Sequence, residues 1–244
     1  MDDRRIFHVH TFRCKHAEMI SDEEYVRQAF NLGATEITFT DHAPFPNDPF
    51  GNRMDMEQLP EYMSTLSDLK RKYAGRIDVR IGLEVEYLPS FRNYYEYLKG
   101  LPEMDLLILG QHFYKAQDGQ WSFQLSDKTE EWKYCLEAQQ EGSQTGLFSV
   151  IAHPDRLFRR SKQWTDEMQD QTSGFIKELD SAVSLEINIA SKRRKQIREE
   201  FWNLAPDSQK RIIGIDAHSI RELQKGFLLS AKLAERYGLS CAEK

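Results

Sequence analysis

The chain has 244 residues, 40% of them hydrophobic and 30% charged, the composition of a globular protein able to bury one α/β barrel or two small domains. Its 39 acidic residues outnumber 33 basic ones for a net charge of −6, so no global basic field recruits nucleic acid or an anionic membrane, neither partner is expected, and any anion must be met locally. Cys14, Cys135 and Cys241 are odd in number, far apart and outside any CxxC pair; with no signal-peptide core and no apolar run of membrane-spanning length, they predict a reducing, cytoplasmic setting.

The first apolar run starts at Arg5 and closes on His8-Val-His10. Ser21 with Glu24 predicts a capping box opening a helix whose face is Val26, Ala29 and Phe30 and which stops at Gly33. A second strand over 36–40 ends at Asp41-His42-Ala-Pro, and a helix with Leu59, Tyr62, Met63, Leu66, Leu69 and Tyr73 at helical spacing follows, ended by Gly75. The third strand, 77–84, ends in Glu84, and the fourth, 105–112, ends in His112; Phe113 to Phe123 then reads as a small hairpin turning at Asp118-Gly119. Strands over 147–153, 183–188 and 211–216 end at His153, Asn188 and Asp216-Ala-His218. Helix-type segments lie between most neighbours and after the seventh strand, with no internal repeat, low-complexity tract or Ser/Gly-rich linker. Alternating β and α units predict a parallel sheet, and polar residues gathered at seven strand ends predict a closed or nearly closed barrel with one active face; an open doubly wound sheet is the alternative.

All seven histidines (His8, His10, His16, His42, His112, His153 and His218) fall at or just past the C-terminal end of a predicted strand, and none sits on a helix face or in a linker. Residues two apart on a strand point the same way, so His8-Val-His10 and Asp216-Ala-His218 can each grip one ion or two neighbours. With Glu84 these make too many donors for one tetrahedral zinc, and since a carboxylate can bridge, two or three metals are expected. Two metals about 4 Å apart lower the pKa of a shared water towards neutrality and clamp phosphoryl oxygens, which points to hydrolysis of a phosphate ester. Phosphate also asks for cations that hold no metal; Arg156, Arg159 and Arg160 follow the fifth strand and Lys192-Arg193-Arg194-Lys195 the sixth, and the spacing does not choose between them. Glu86 shares a strand face with Glu84. Cys14 reads as a soft ligand or a buried bystander thiol, and Asp41 as a residue that orients an imidazole or simply turns the chain.

His-Val-His-Thr-Phe-Arg-Cys-Lys-His (8–16), Thr-Asp-His-Ala-Pro (40–44), Gly-Leu-Glu-Val-Glu-Tyr (82–87), Leu-Gly-Gln-His (109–112), Ala-His-Pro-Asp-Arg (152–156) and Asp-Ala-His (216–218) stand in order, and together they resemble the PHP family, the polymerase and histidinol phosphatase hydrolases. Within it the chain is most similar to the stand-alone histidinol-phosphate phosphatase branch. The resemblance implies a distorted (β/α)7 barrel, TIM-like, with a trinuclear metal site at the C-terminal ends of the strands, the whole of 1–244 forming a single metal-dependent hydrolase domain. It gives one ion to His8, His10, Glu84 and Asp216, a second to bridging Glu84 with His112 and His153, and a third to His16, His42 and His218. The Gly-x-Glu match selects Glu84 over Glu86. Zinc, manganese and iron all occur in such sites, and N/O donors alone do not choose among them. Catalysis would fall on His8, His10, Glu84, His153, Asp216 and His218 through a metal-bridging hydroxide without a covalent phosphoenzyme, and Arg160, Arg193 and Arg156 are the phosphate-binding candidates. Histidinol phosphate is the implied substrate, its imidazole and amine suiting Glu86, Tyr87, Phe113 and Trp121. Three alternatives stand beside this. An amidohydrolase-type barrel would need an eighth strand; a non-catalytic metal-stabilised module should lack ligands, whereas none of the nine is missing; a nuclease would want a basic, aromatic-lined groove.

Overall fold

The computed structural model describes residues 4–47, 50–116, 119–237 and 239. Seven parallel strands, β1 (Arg5–Val9), β2 (Glu36–His42), β3 (Asp78–Val85), β4 (Leu106–Leu109), β5 (Val150–Ile151), β6 (Ser184–Asn188) and β7 (Arg211–Gly214), pair strictly in chain order. Each is followed on the outside by helix: α1 (Asp22–Asn31), α2 (Leu59–Tyr73), α3 (Arg92–Lys99), α4 (Glu131–Ser143), α5 (Asp166–Glu178), the short pair α6 (Ile189–Arg193) and α7 (Glu199–Leu204), and α8 (Ile220–Arg236). The seventh strand then returns to the first. Ile215 N donates to Phe7 O (2.8 Å), Ala217 N to His8 O (3.1 Å) and His10 N to Ala217 O (2.9 Å), which closes the sheet along its C-terminal edge. An open doubly wound sheet has no such seam, so the molecule is a distorted (β/α)7 barrel. Among the described residues no helix is long and apolar enough to cross a membrane.

Period-2 alternation sorts the side chains into two layers. Val79, Ile81, Leu83 and Val85 of β3 point outward into a large core shared with the helices, as do Ile37 and Phe39, Leu107 and Leu109, and Leu185 and Ile187. The barrel interior is a much smaller cluster of Phe7, Ile108, Val150 and Ala152, with Leu106 and Ile212 against it. Above that plug the inward positions are polar. Two of them are glutamates, Glu84 and Glu186, and the neighbouring chain supplies glycine, Gly110 just past β4 and Gly214 at the end of β7: a Cβ on Gly110 would collide with the Glu84 carboxylate, and one on Gly214 with that of Glu186. Those glycines are there for volume, so that two carboxylates fit across the barrel mouth.

Several local expectations change. β4, β5 and β7 stop short of His112, His153 and Asp216, because the backbone leaves the ladder where a polar side chain must turn inward; His153 (φ 35°) and Asp216 (φ 56°) are both left-handed. Ser21 is the N-cap of α1 without a side-chain capping bond, so the capping box is not formed, and Phe30 is exposed rather than on the buried face. Met63 only borders the core. The small hairpin after His112 is present, an antiparallel bridge of Lys115 with Trp121 flanked by Ala116 N donating to Gln120 O (2.8 Å) and Ser122 N to Tyr114 O (3.0 Å); Asp118, its expected turn residue, and Cys241 lie outside the described residues.

Overpacking a filled interior costs about 1–3 kcal/mol. Gly214→Ala should therefore lower stability to denaturant by at least that amount, whereas Gly174→Ala on α5, where a methyl meets open space, should not. Equal stability of the two variants would show that the interior has slack.

Candidate metal centre

The first strand cannot present both of its histidines inward by simple alternation. Ile6 and Val9, three residues apart, both pack in the outer core, while Phe7 between them belongs to the inner plug. His8 is the extra residue: the β1–β2 register slips between Ile6 and Val9, and His8 adopts φ 69°. This is a β-bulge, and without it His8 and His10 would follow Ile6 to the helix side. His153, just past β5, is turned inward by a left-handed step without a register slip, since Ile151 points outward and Ala152 inward before it. Non-glycine residues seldom occupy that region, and strain of this kind is held where surrounding structure over-determines it.

Glu84 is the hub of the resulting cluster. Its Oε1 lies 2.8 Å from His153 Nε2 and 3.6 Å from His112 Nε2; its Oε2 lies 3.3 Å from His8 Nε2, 3.4 Å from His10 Nε2 and 3.2 Å from His42 Nδ1. Asp216 Oδ1 is 3.5 Å from both His10 Nε2 and His218 Nδ1. His16, exposed at the rim, reaches the others by its ring, 4.5 Å from that of His218 and 5.5 Å from that of His42. The structure thus gathers all nine candidate ligands. Three donor groups, His8-His10-Glu84, His42-Glu84-His112 and His16-His42-His218, each have their atoms within 4.8 Å of one another.

Charge and protonation fit cation binding. Burial, with His218 and His42 beside it, holds His10 well below the usual imidazole range; burial lowers His42 to about 3, and burial with Arg156 lowers His153 to about 4. Neutral imidazoles with free lone pairs are what a metal requires. Both nitrogens of His10, Nδ1 of His42 and Nε2 of His218 are buried without a hydrogen-bond partner, an expensive arrangement in a folded interior unless something else fills it. Burial works to raise Glu84 and Asp216, yet the neighbouring imidazoles for the first and Arg156 with His8 for the second keep both well below the usual carboxylate range. The N/O donor set fits divalent ions. Burial pushes the Cys14 thiol the other way, up to about 12.

Two supporting residues, Glu186 and Arg53, were not read from the sequence, and Glu86 and Asp41 join them in holding the ligands. Glu186, on β6, accepts from His8 Nδ1 (2.6 Å), His153 N (2.8 Å) and Asn188 Nδ2 (3.0 Å), so one carboxylate fixes two ligand-bearing strands. Burial also opposes His8's proton, but Glu186 and then Glu84 outweigh it and leave His8 raised well above the ordinary range. Arg53 forks onto Glu86 (3.1 and 3.2 Å), whose other neighbour is His112 Nδ1 at 2.9 Å. Glu86 therefore orients a single histidine while Glu84 touches five. Asp41 accepts from Thr11 N and Oγ1 and lies 4.0 Å from His10 Nδ1; burial pushes it up to about 7. A glutamate between Leu185 and Ile187 was the available signal for Glu186, since a charge inside an apolar strand must find a partner.

A cavity of about 780 Å³ opens over the cluster. Arg156 lies on its wall, bound to Asp216 Oδ2 (2.6 Å), Asn188 Oδ1 (2.8 Å) and Ser191 Oγ (2.9 Å), and Arg194 lines it too. Arg160 and Arg193 do not. The short helical turn Arg156–Arg160 turns Arg159 and Arg160 to Glu131, and Arg193 pairs with Glu222 of the cavity wall without lining the cavity itself. Phe113 and Glu86 face the cavity, joined by Phe50, Glu18 and Glu222, whereas Tyr87 and Trp121 line a different cleft.

The PHP domain family pattern matches residues 7–190. A probable histidinol-phosphatase of Deinococcus radiodurans is 32% identical over 162 residues, 61% of this chain and 59% of that protein, so the chain spans less than two thirds of that relative. The histidinol-phosphatase of Bacillus subtilis is 33% identical over 121 residues, 46% of this chain and 45% of its own length. In fold, the chain resembles the histidinol phosphate phosphatase of Lactococcus lactis solved with zinc, L-histidinol and phosphate, with a TM-score of 0.72, 20% identity, and coverage of 97% of this chain and 94% of that one.

Partners that orient metal-binding histidines are worth about 10–100-fold in metal affinity. Glu186→Gln keeps the side chain's shape but removes the charge facing His8 and His153, so it should weaken zinc retention by that factor in chelator competition, with the fold intact by circular dichroism. Unchanged retention would reduce Glu186 to a packing residue.

Proposed function

The chain belongs to the PHP domain family, and on that premise we propose that it is a cytoplasmic, metal-dependent phosphomonoesterase, a single hydrolase domain over 1–244 that converts histidinol phosphate and water to histidinol and phosphate. The observation that carries the reading is the convergence of nine N/O donor residues beneath one cavity whose wall also bears three arginines, Arg53, Arg156 and Arg194. Two to three divalent ions, zinc, manganese or iron, would be held by His8, His10, Glu84 and Asp216, by Glu84 with His112 and His153, and by His16, His42 and His218. When bound, such ions supply an activated water at neutral pH and neutralise charge on the phosphoryl oxygens.

The protein's own groups do the rest. Arg156 is pinned by Asp216, Asn188 and Ser191, so its guanidinium is set before substrate arrives and loses little freedom on meeting phosphate. Arg194 offers a second cation from the end of α6. Glu18 and Glu222, at the mouth, complement a cationic amine, and Phe50 and Phe113, with rings 4.1 Å apart, form an apolar wall suited to an imidazole. The L. lactis enzyme of similar fold was solved with L-histidinol and phosphate, which supports the same ligands here.

Metal-reconstituted protein should hydrolyse histidinol phosphate faster than other small phosphomonoesters of equal charge. Glu84→Gln should cost more activity than Glu86→Gln, because one carboxylate meets five imidazoles and the other meets one. Arg156→Lys should lower kcat/KM by about 100-fold, while Arg160→Lys, committed to Glu131, should leave it unchanged. No hydrolysis of any phosphomonoester by fully metal-loaded protein would end this reading.

A further inference from the structure

The nine donors do not include one group that lies among them. Cys14 closes the helical turn Phe12–Cys14 and is fully buried. Its sulfur, a nitrogen of His10 and a nitrogen of His218 all lie within 4.8 Å of one another, the same spacing as in the three N/O groups. The two imidazoles are stacked with ring centres 4.2 Å apart, and both His10 nitrogens and His218 Nε2 are buried without a hydrogen-bond partner. Burial pushes the Cys14 thiol up to about 12, and the backbone N–H groups of Cys14, His16 and Ala17, gathered by left-handed Lys15 (φ 65°), work against that rise. The turn is held rigidly: Arg13, itself buried, forks onto Asp22 and Glu61 and donates to Thr11 Oγ1 (2.9 Å).

We propose that Cys14 is a thiolate ligand of the metal centre, a sulfur donor placed between His10 of the first ion's ligand set and His218 of the third's, where it favours a thiophilic divalent ion. On coordination a sulfur–metal bond forms and the thiol proton leaves to solvent. The N/O donors alone choose poorly among zinc, manganese and iron, and a sulfur donor supplies the missing preference for zinc over manganese. The proposal rests on the metal-centre reading above, and cobalt separates the two: Co²⁺ bound by N and O gives visible ligand-field bands, while a thiolate adds an intense near-ultraviolet charge-transfer band.

Titrated with Co²⁺, the full-length protein should show both features, and the Cys135→Ala/Cys241→Ala variant should retain both. Cys14→Ser and Cys14→Ala should lose the near-ultraviolet band and keep the visible ones. Ligand-field bands in the wild-type protein without charge transfer overturn the thiolate ligand alone. A charge-transfer band that persists in both Cys14 variants assigns it to another cysteine and equally overturns it. Absence of every cobalt band overturns this proposal together with the metal centre itself. Should neither Cys14 variant fold, the wild-type and double-variant spectra decide.

Discussion

A carboxylate placed at the mouth of a barrel has to be answered by positive charge, and the structure above the strands is organised around that demand on Glu84. Five imidazoles surround it, yet burial keeps His42, His10 and His153 uncharged, so the protein's own answer is incomplete. Arg156 is spent on Asp216 and Arg53 on Glu86. What remains is a set of oriented lone pairs facing a net negative centre, an arrangement that hydrophobic packing must support and that external cations would relieve.

The support comes from below and from the side. Below, the apolar plug is small because the large core lies between sheet and helices, and polar residues take over the inner face within a few residues of each strand. To the side, Glu186 and Glu86 hold ligand histidines by their second nitrogen, which settles ring orientation without occupying the face turned to the cavity. Gly110 and Gly214 complete the design by leaving room for carboxylates where any side chain would intrude.

Much of this was legible in the sequence. Alternating β and α runs gave the barrel, and polar residues at strand ends gave the candidate site, because both depend on local patterning that a single chain displays. The exceptions have physical reasons. Two residues apart on a strand seemed enough to pair His8 with His10, but the working device is a bulge, which leaves no mark in hydrophobic periodicity. Glu186 lay in an apolar strand and its partner sits 178 positions away, a distance no local pattern spans. Among the basic runs, composition could not tell Arg194 from Arg193 or Arg156 from Arg160: one turn of helix decides which guanidinium lines the cavity and which is taken up by Glu222 or by buried Glu131.

The seam between β7 and β1 has a temporal side. Its bonds run through Phe7, His8 and His10 on one strand and Ile215 and Ala217 on the other, so closing the barrel and completing the donor cluster are one event. Those residues sit more than two hundred positions apart, and joining them carries the loop-closure entropy of nearly the whole chain. During synthesis, six strands can assemble while His8 and His10 wait beside Glu84 for Asp216 and His218 to emerge. Without the last strand the sheet keeps an open edge and the donor set lacks Asp216 and His218, so one seam governs both.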